Sequence, residues 1–281
     1  MRSYLLGFTL LLTTLLIMPK QVFSTHLMGG EITWECNGTG EYVFTFKVYR
    51  DCSGNAITPN ASGLIQIHNY PSAGLVTQIP ATQWTTVRDG DISPDCSGPG
   101  SFSCTNGDPE SVFEYVRTFT RRLLGTPPAA GWIITYDDVA RNANDNLVGQ
   151  PGLTLRAKIL PHSGTVADTC IDNSPQFQEI ATSLICVGVP FNYNHNATDV
   201  ELDSLVYEWA RPLNAIGTNQ LYVEGSVPAN LSFQSGYSFN SPFPGIAQDP
   251  SNVPATLDPN TGEISLTSNT SGKFVSVVKV T

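Results

Sequence analysis

The residues best suited to chemistry are oxygen donors in the middle of the chain. Carboxylates alternate with apolar side chains at Asp199, Glu201 and Asp203, so an extended chain would place all three on one face. Asp172 and Asn173 stand shortly before a proline, where such side chains close turns and helices stop. Because Ca²⁺ takes about six to eight oxygen ligands, the pattern predicts a calcium-stiffened junction. The alternative is a hydrogen-bonded turn whose acids face water.

Cysteine is the second chemically informative residue type. The chain has six cysteines, none in a Cys-x-x-Cys pair, so zinc and thioredoxin-like redox sites are disfavoured. An even count in an exported chain is typical of disulfides. Pairing between neighbours along the chain favours Cys96–Cys104 and Cys170–Cys186, which leaves Cys36–Cys52 by elimination.

A predicted hairpin conflicts with one of these bonds. Two runs of alternating residues, 31–36 and 42–50, flank the turn-forming residues 37–40. Such a hairpin places Cys36 at the turn and Cys52 past the far end, roughly 30 Å away in an extended strand. The disulfide connectivity therefore stays open.

The tryptophans and the absence of familiar catalytic motifs bear on the choice between binding and catalysis. Trp84 is flanked by polar residues, so we expect it to be exposed and able to stack on a sugar, whereas Trp34, Trp132 and Trp209 lie in apolar strands. The sequence contains no Gly-x-Ser-x-Gly elbow, no phosphate-cradling glycine loop and no His-Glu-x-x-His. These patterns favour binding over catalysis.

Alternation with a period of two residues dominates the elements that must position these groups. It is clearest in residues 31–36, 112–119 and 153–159, and no helical stripe longer than about two turns follows residue 24. Six prolines between residues 212 and 255 indicate a long loop with short edge strands. We predict a mainly β protein with two β-sandwich-like domains in tandem, residues 25–171 and 172–281.

The amino terminus predicts export. Arg2 precedes an apolar run over residues 5–18, and Val22-Phe23-Ser24 is a small-residue cleavage site, so residues 1–24 read as a signal peptide. A membrane span needs about 20 residues, so this run is too short for one. No second apolar run of that length follows in the mature chain. The net charge of −10 repels nucleic acid and suits cations.

Two segments of the first half resemble a known family. Residues 25–34 (Thr-His-Leu-Met-Gly-Gly-Glu-Ile-Thr-Trp), with residues 49–52 (Tyr-Arg-Asp-Cys), resemble the start of large gliding-motility-associated bacterial surface proteins. Residues 131–136 are similar to a Gly-aromatic-x-Ile-x-Tyr stretch of that family, which ends Cys-Cys-Arg-Asn. Val139 and Ala140 stand here where the family has its two cysteines. The resemblance implies secretion or display at the cell surface, with type IX secretion as a route.

The second half resembles a cadherin-like or Ig-like module. Residues 172–177 are similar to the cadherin linker, and residues 197–207 to the first strand near its calcium ions. Glu201-Leu202-Asp203 replaces the Asp-Gly-Asp of that pattern. The resemblance implies a cadherin-like sandwich for residues 172–281, which we expect to continue past Thr281.

These observations lead to one expected function and one alternative. We expect a non-catalytic, exported cell-surface protein that contributes to adhesion or surface-filament assembly, with other surface proteins or extracellular glycans as partners. The alternative is a carbohydrate-binding module of a secreted polysaccharide-degrading enzyme, with an exposed aromatic row centred on Trp84. A secreted hydrolase would require carboxylates that converge in a cleft.

Overall fold

The structure is a computed structural model that describes residues 27–53, 63–70, 74–93, 102–108, 111–139, 141–161, 172–180 and 184–281. The predicted signal peptide, Cys96 and Cys170 lie outside these residues. Strands account for 43% of the structure and helix for 3%, so the predicted mainly β fold is confirmed.

The first half of the chain forms two four-stranded antiparallel sheets. The strands are β1 (Leu27–Cys36), β2 (Glu41–Asp51), β3 (Leu64–His68), β4 (Val76–Ile79), β5 (Thr85–Asp91), β6 (Val112–Arg122), β7 (Trp132–Asp138) and β8 (Leu153–Ile159). One sheet has the order β1-β2-β6-β5 and the other the order β4-β3-β7-β8. Two short 3-10 turns, Ala81–Gln83 and Cys104–Asn106, lie in the connections.

Large side chains from both sheets meet in one core. Phe44 on β2 stacks on Phe119 of β6 with ring centroids 4.8 Å apart, and Phe46 reaches across to Tyr136 of β7 at 6.3 Å. All four rings are buried. Because side chains of a strand alternate between its faces, the period-two pattern of the sequence places these rings inside a sandwich.

The second half contains shorter strands in three small antiparallel sheets. The strands are β9 (Gln176–Phe177), β10 (Phe191–Asn194), β11 (Ala197–Thr198), β12 (Tyr207–Trp209), β13 (Val253–Leu257), β14 (Glu263–Thr267) and β15 (Val278–Val280). The sheet orders are β10-β14-β13, β11-β9 and β12-β15. Between β12 and β13 the chain makes only isolated bridges, which agrees with the long proline-rich loop expected there.

Hydrogen bonds join the two halves across the predicted domain boundary. The amide of Trp34 donates to the Ser174 hydroxyl at 2.8 Å, and the Ser174 amide donates back to the Trp34 carbonyl at 3.1 Å. Further along, the amide of Ile216 donates to the buried Asp137 carboxylate at 3.0 Å. The division into two domains stays a prediction.

The expectation that Trp84 is exposed is wrong. Only 8% of its surface is accessible, its ring lies 6.4 Å from that of Tyr136, and its indole N–H donates to the Ile79 carbonyl at 3.3 Å. The preceding 3-10 turn leaves Gln83 exposed and directs Trp84 inward. Polar neighbours therefore misled the sequence interpretation, because adjacent side chains of a turn face different ways.

A disulfide joins Cys52 to Cys104, with their Cα atoms 4.9 Å apart. Cys36 lies opposite Tyr42 in the β1–β2 strand pair, near the hairpin turn. Cys52 follows the last residue of β2, at the end of the hairpin away from the turn. The hairpin prediction is confirmed, and the local bonds Cys36–Cys52 and Cys96–Cys104 are wrong. Strand register, and not proximity along the chain, brings the end of β2 beside the loop before β6.

The remaining described cysteines behave differently from each other. Cys36 is disulfide-bonded. Cys186 is free and exposed, so the expected Cys170–Cys186 bond is wrong. Cys186 lies just before a turn, in a run of exposed residues that leads into β10.

Candidate functional site

The acidic segment after β11 is a turn and not a strand. The Asp199 carboxylate accepts a hydrogen bond from the amide of Asp203 at 3.0 Å, and the Asp199 carbonyl accepts one from the amide of Leu202 at 3.4 Å. Leu202 has a φ of 66° and is 89% exposed. The predicted extended face of three carboxylates is therefore wrong, because the short Asp199 side chain closes a local turn.

The structure does bring the linker and this turn together. The side-chain amide of Asn173 donates to Glu201 Oε1 at 2.5 Å, and its backbone amide donates to Glu201 Oε2 at 3.4 Å. Asn173 Oδ1 accepts from the amide of Cys36 at 2.7 Å, and the Asp172 carbonyl accepts from the Trp34 indole at 3.2 Å. Asn173 thus ties the end of β1 to the acidic turn.

In the described part of the chain, no group of three or more His, Cys, Asp or Glu side chains is placed to hold a metal ion. The calcium site at Asp172, Asn173, Asp199, Glu201 and Asp203 stays a prediction.

A groove that the sequence did not reveal opens in the long segment between β12 and β13. Its volume is about 520 Å³. Its lining combines one cation, aromatic rings and small polar groups: Arg211, Asn230, Ser232, Phe233, Tyr237 and Phe239. The density of aromatic residues from 233 to 243 is the one sequence signal that could have found it.

One wall of the groove is a strand-like pair within the long segment. Leu213 and Asn230 form an antiparallel bridge, and the amide of Leu231 donates to the Pro212 carbonyl at 3.0 Å. Beneath them the buried guanidinium of Arg141 donates to the Leu213 carbonyl at 3.1 Å. The wall therefore rests on a residue of the first half.

The floor is fixed to the loop between β7 and β8. Phe233 bridges Leu147, and the Ser232 carbonyl accepts from the amide of Val148 at 2.9 Å. The buried Asn146 side chain donates to the Pro242 carbonyl at 2.8 Å. These hydrogen bonds satisfy backbone polar groups of the loop within the protein, and they hold the floor of the groove in place.

Phe239 lines the groove beside Arg211. Ser238 and Ser241 exchange backbone hydrogen bonds at 3.1 and 3.2 Å and so close a tight turn around Phe239. The Arg211 guanidinium lies over the Phe239 ring, 4.5 Å from its centroid. Arg211 makes no ion pair with any residue that the structure describes. The groove therefore offers an exposed cation that an aromatic ring holds in place.

Tyr237 adds a hydroxyl donor to the same groove. Its ring packs 5.8 Å from that of Phe274. Partial burial, and then the nearby Asp145 carboxylate, raise the pKa of the Tyr237 hydroxyl. The group therefore stays protonated at neutral pH and can donate a hydrogen bond.

A buried polar network under residues 213–222 contains the other titratable groups of interest. Thr135 donates to Asp137 Oδ2 at 3.2 Å and lies 3.1 Å from His68 Nε2, while Thr154 donates to Asp137 Oδ1. Burial raises the pKa of Asp137 and lowers that of His68 to about 4. Both side chains are buried. Asp137 also accepts the hydrogen bond from the amide of Ile216, so the network fastens the long segment to the sheet.

Comparison with known proteins gave no relative. Neither a family model, nor a curated protein, nor a solved structure matches this chain. In the described residues no helix is long and apolar enough to cross a membrane. The likeness to gliding-motility-associated surface proteins stays a prediction from the motifs of the sequence.

Proposed function

We propose that this chain is an exported, non-catalytic scaffold that binds partners outside the cell, in adhesion or in the assembly of a surface structure. The Cys52–Cys104 disulfide carries the proposal. Disulfides of this kind persist in oxidising compartments and are rare in the bacterial cytosol. The predicted signal peptide supports export independently of the disulfide.

The way the loops are held supports binding as the activity. The sandwich core is tightly packed with aromatic rings, and the long segment that it carries is fastened by buried hydrogen bonds such as that from Ile216 to Asp137. A rigid scaffold that positions loops is a common arrangement for recognition. Other surface proteins and extracellular glycans are the partners in this proposal.

The glycan-binding alternative receives support from a different place than the sequence indicated. Trp84 belongs to the core, whereas Phe233, Tyr237 and Phe239 line an open groove beside Arg211. Aromatic faces next to a few polar groups are typical of small-ligand sites. Binding of a sugar and a role at the cell surface are compatible in one protein.

The test is the location and redox state of the full chain in a bacterial host. We expect it outside the cytoplasm, with Cys52 and Cys104 protected from alkylation until a reductant is added. A variant with two lysines placed within residues 5–18 is the control, and it should stay in the cytoplasm. Recovery of the unaltered chain in the cytoplasm with both thiols reduced would contradict the proposal.

A further inference from the structure

We propose that the groove beside Arg211 binds a sugar that carries a carboxylate, namely a uronic acid residue of an extracellular polysaccharide. The inference rests on the proposed function and gives it a ligand class. The groove volume of about 520 Å³ lies within the ~300–1,000 Å³ usual for small-molecule sites.

The aromatic side chains account for the sugar ring. Phe233, Tyr237 and Phe239 line one opening, and a pyranose has an apolar C–H face that packs on aromatic side chains. Asn230 and Ser232 supply an amide and a hydroxyl at the same opening. The sugar hydroxyls can therefore find donors and acceptors beside the apolar contact.

Arg211 accounts for the carboxylate. A guanidinium matches a carboxylate with two parallel hydrogen bonds, and such charge-assisted pairs are the strong ones. The stacking of Arg211 on Phe239 restricts the guanidinium before any ligand arrives. No described carboxylate pairs with Arg211, so an incoming acid need not displace one.

The charge of the whole chain limits the kind of acid. The net charge of −10 repels a densely charged polyanion over roughly a Debye length of 8–10 Å. Among the described residues that line the groove, Arg211 is the one that carries a positive charge. A ligand with a single carboxylate at the site therefore fits better than a sulfated or phosphorylated polymer.

The backbone of the groove argues against an acidic peptide. Peptides often add a strand to a free sheet edge. Here the amide of Leu231 is bonded to Pro212, and the carbonyl of Ser232 is bonded to Val148. The groove thus recognises its ligand through side chains.

The experiment measures binding of the full chain to single uronic acids by titration calorimetry. The probes are the methyl glycosides of galacturonic, glucuronic and mannuronic acid, which carry one carboxylate each, and each is compared with its methyl ester, which lacks the charge. We expect one of the free acids to bind and its ester to bind at least about tenfold more weakly. The absence of binding by all three acids at millimolar concentration would overturn the inference.

Variants of the groove locate the site. Arg211→Ala should weaken binding about tenfold or more, Arg211→Lys less, and Phe239→Ala about fivefold. The matched control is Arg156→Ala, because Arg156 also lies over an aromatic ring, that of Tyr222 at 5.8 Å, but already pairs with Glu224. It should leave the affinity unchanged, and thermal melting checks that each variant is folded.

The outcomes separate the ligand class from the proposed function. Equal binding of a hexaglutamate peptide, lost in Arg211→Ala, would show that the sugar class is wrong. Unchanged binding in Arg211→Ala would overturn the groove as the site, even with the chain exported and attached to cells. Retention of the chain in the cytoplasm would instead contradict the proposed function, whatever the sugar titration shows.

Discussion

The ammonium group of Lys273 lies 3.1 Å from the buried carboxylate of Asp51, although the two residues are 222 positions apart in the sequence. Asp51 is the last residue of β2 and is fully buried. The backbone amide of Ser53 also donates to this carboxylate at 2.8 Å, and the side-chain amide of Asn142 donates to it at 3.3 Å. The contact fastens the carboxyl-terminal part of the chain to the first sandwich.

Replacement of Asp51 should therefore destabilise the whole protein. Burial alone would raise the pKa of Asp51, but the hydrogen bonds from Ser53 and Lys273 outweigh it and lower the pKa. We expect Asp51→Ala to cost about 3 kcal/mol at pH 7 in urea unfolding, because it leaves several donors without their acceptor. Since the folded-state pKa is lowered, this stabilisation is present above the unfolded pKa and is lost as pH falls through the folded one.

The control for Asp51 is an exposed ion pair. Lys279 pairs with Glu208 at 2.6 Å, with about half of each side chain accessible. Lys279→Met should change the free energy of unfolding by less than about 1 kcal/mol. Equal effects of the two variants would refute the role assigned to Asp51.

Two adjacent glycines of β1 should respond very differently to alanine. A Cβ on Gly30 would lie 2.2 Å from the Lys47 carbonyl oxygen and 2.7 Å from Leu155 Cδ1, whereas a Cβ on Gly29 would meet nothing within 4 Å. Gly30→Ala should cost about 2 kcal/mol or more, because backbone must move. Gly29→Ala should stay within about 0.5 kcal/mol, and similar melting temperatures for both variants would contradict this packing.

Loss of the Cys52–Cys104 disulfide should be strongly destabilising. The two residues are separated by 52 positions, for which the chain-entropy model gives about 4 kcal/mol. The double variant Cys52→Ser/Cys104→Ser should therefore unfold at markedly lower urea concentration. Cys186→Ser is the matched control and should unfold like the unaltered chain, because Cys186 is free and exposed; the reverse order would overturn the assignment.

His68 should make stability fall on mild acidification. Burial lowers its pKa from 6.5 to about 4, so between these values the unfolded chain binds a proton that the folded protein does not. The free energy of unfolding should drop by up to ~1.4 kcal/mol per pH unit across that window and show no His68 contribution above it. The raised pKa of Asp137 acts in the opposite direction.

A His68→Gln variant separates these two effects. Glutamine keeps a polar atom near Thr135 and does not titrate, so the difference between the two pH profiles belongs to His68. We expect urea unfolding at several pH values between 7 and 4 to show a shallower decline for the variant. Parallel profiles would show that His68 is not the group responsible.

Strand positions could be predicted well where one face of the strand is buried. The alternation in residues 153–159 coincides with β8, and that in residues 112–119 lies within β6. The extended segment predicted from the alternating acids at residues 199–203 is wrong, because alternating polar side chains gain nothing from burial on one face of a strand. There the hydrogen bond from Asp203 to the Asp199 carboxylate decided the backbone.

The candidate site shows the same division. The sequence predicted Asn173 and Glu201 as calcium ligands, which stays a prediction; the structure shows a hydrogen bond between them, and Asn173 also accepts one from the amide of Cys36 at the end of β1. Arg211 and Phe239 could not be connected from the sequence, because no periodicity relates residues of an irregular segment. Only the bonds of that segment to Leu147 and Arg141 place them face to face.

By itself, then, the sequence determined a mainly β chain, the faces of its long strands and the hairpin that separates Cys36 from Cys52, because these follow from the two-residue repeat of an extended backbone. The tertiary structure alone decided the Cys52–Cys104 bond, the burial of Trp84 and the groove beside Arg211. Each of these depends on contacts between distant segments, whose register and packing no local pattern encodes.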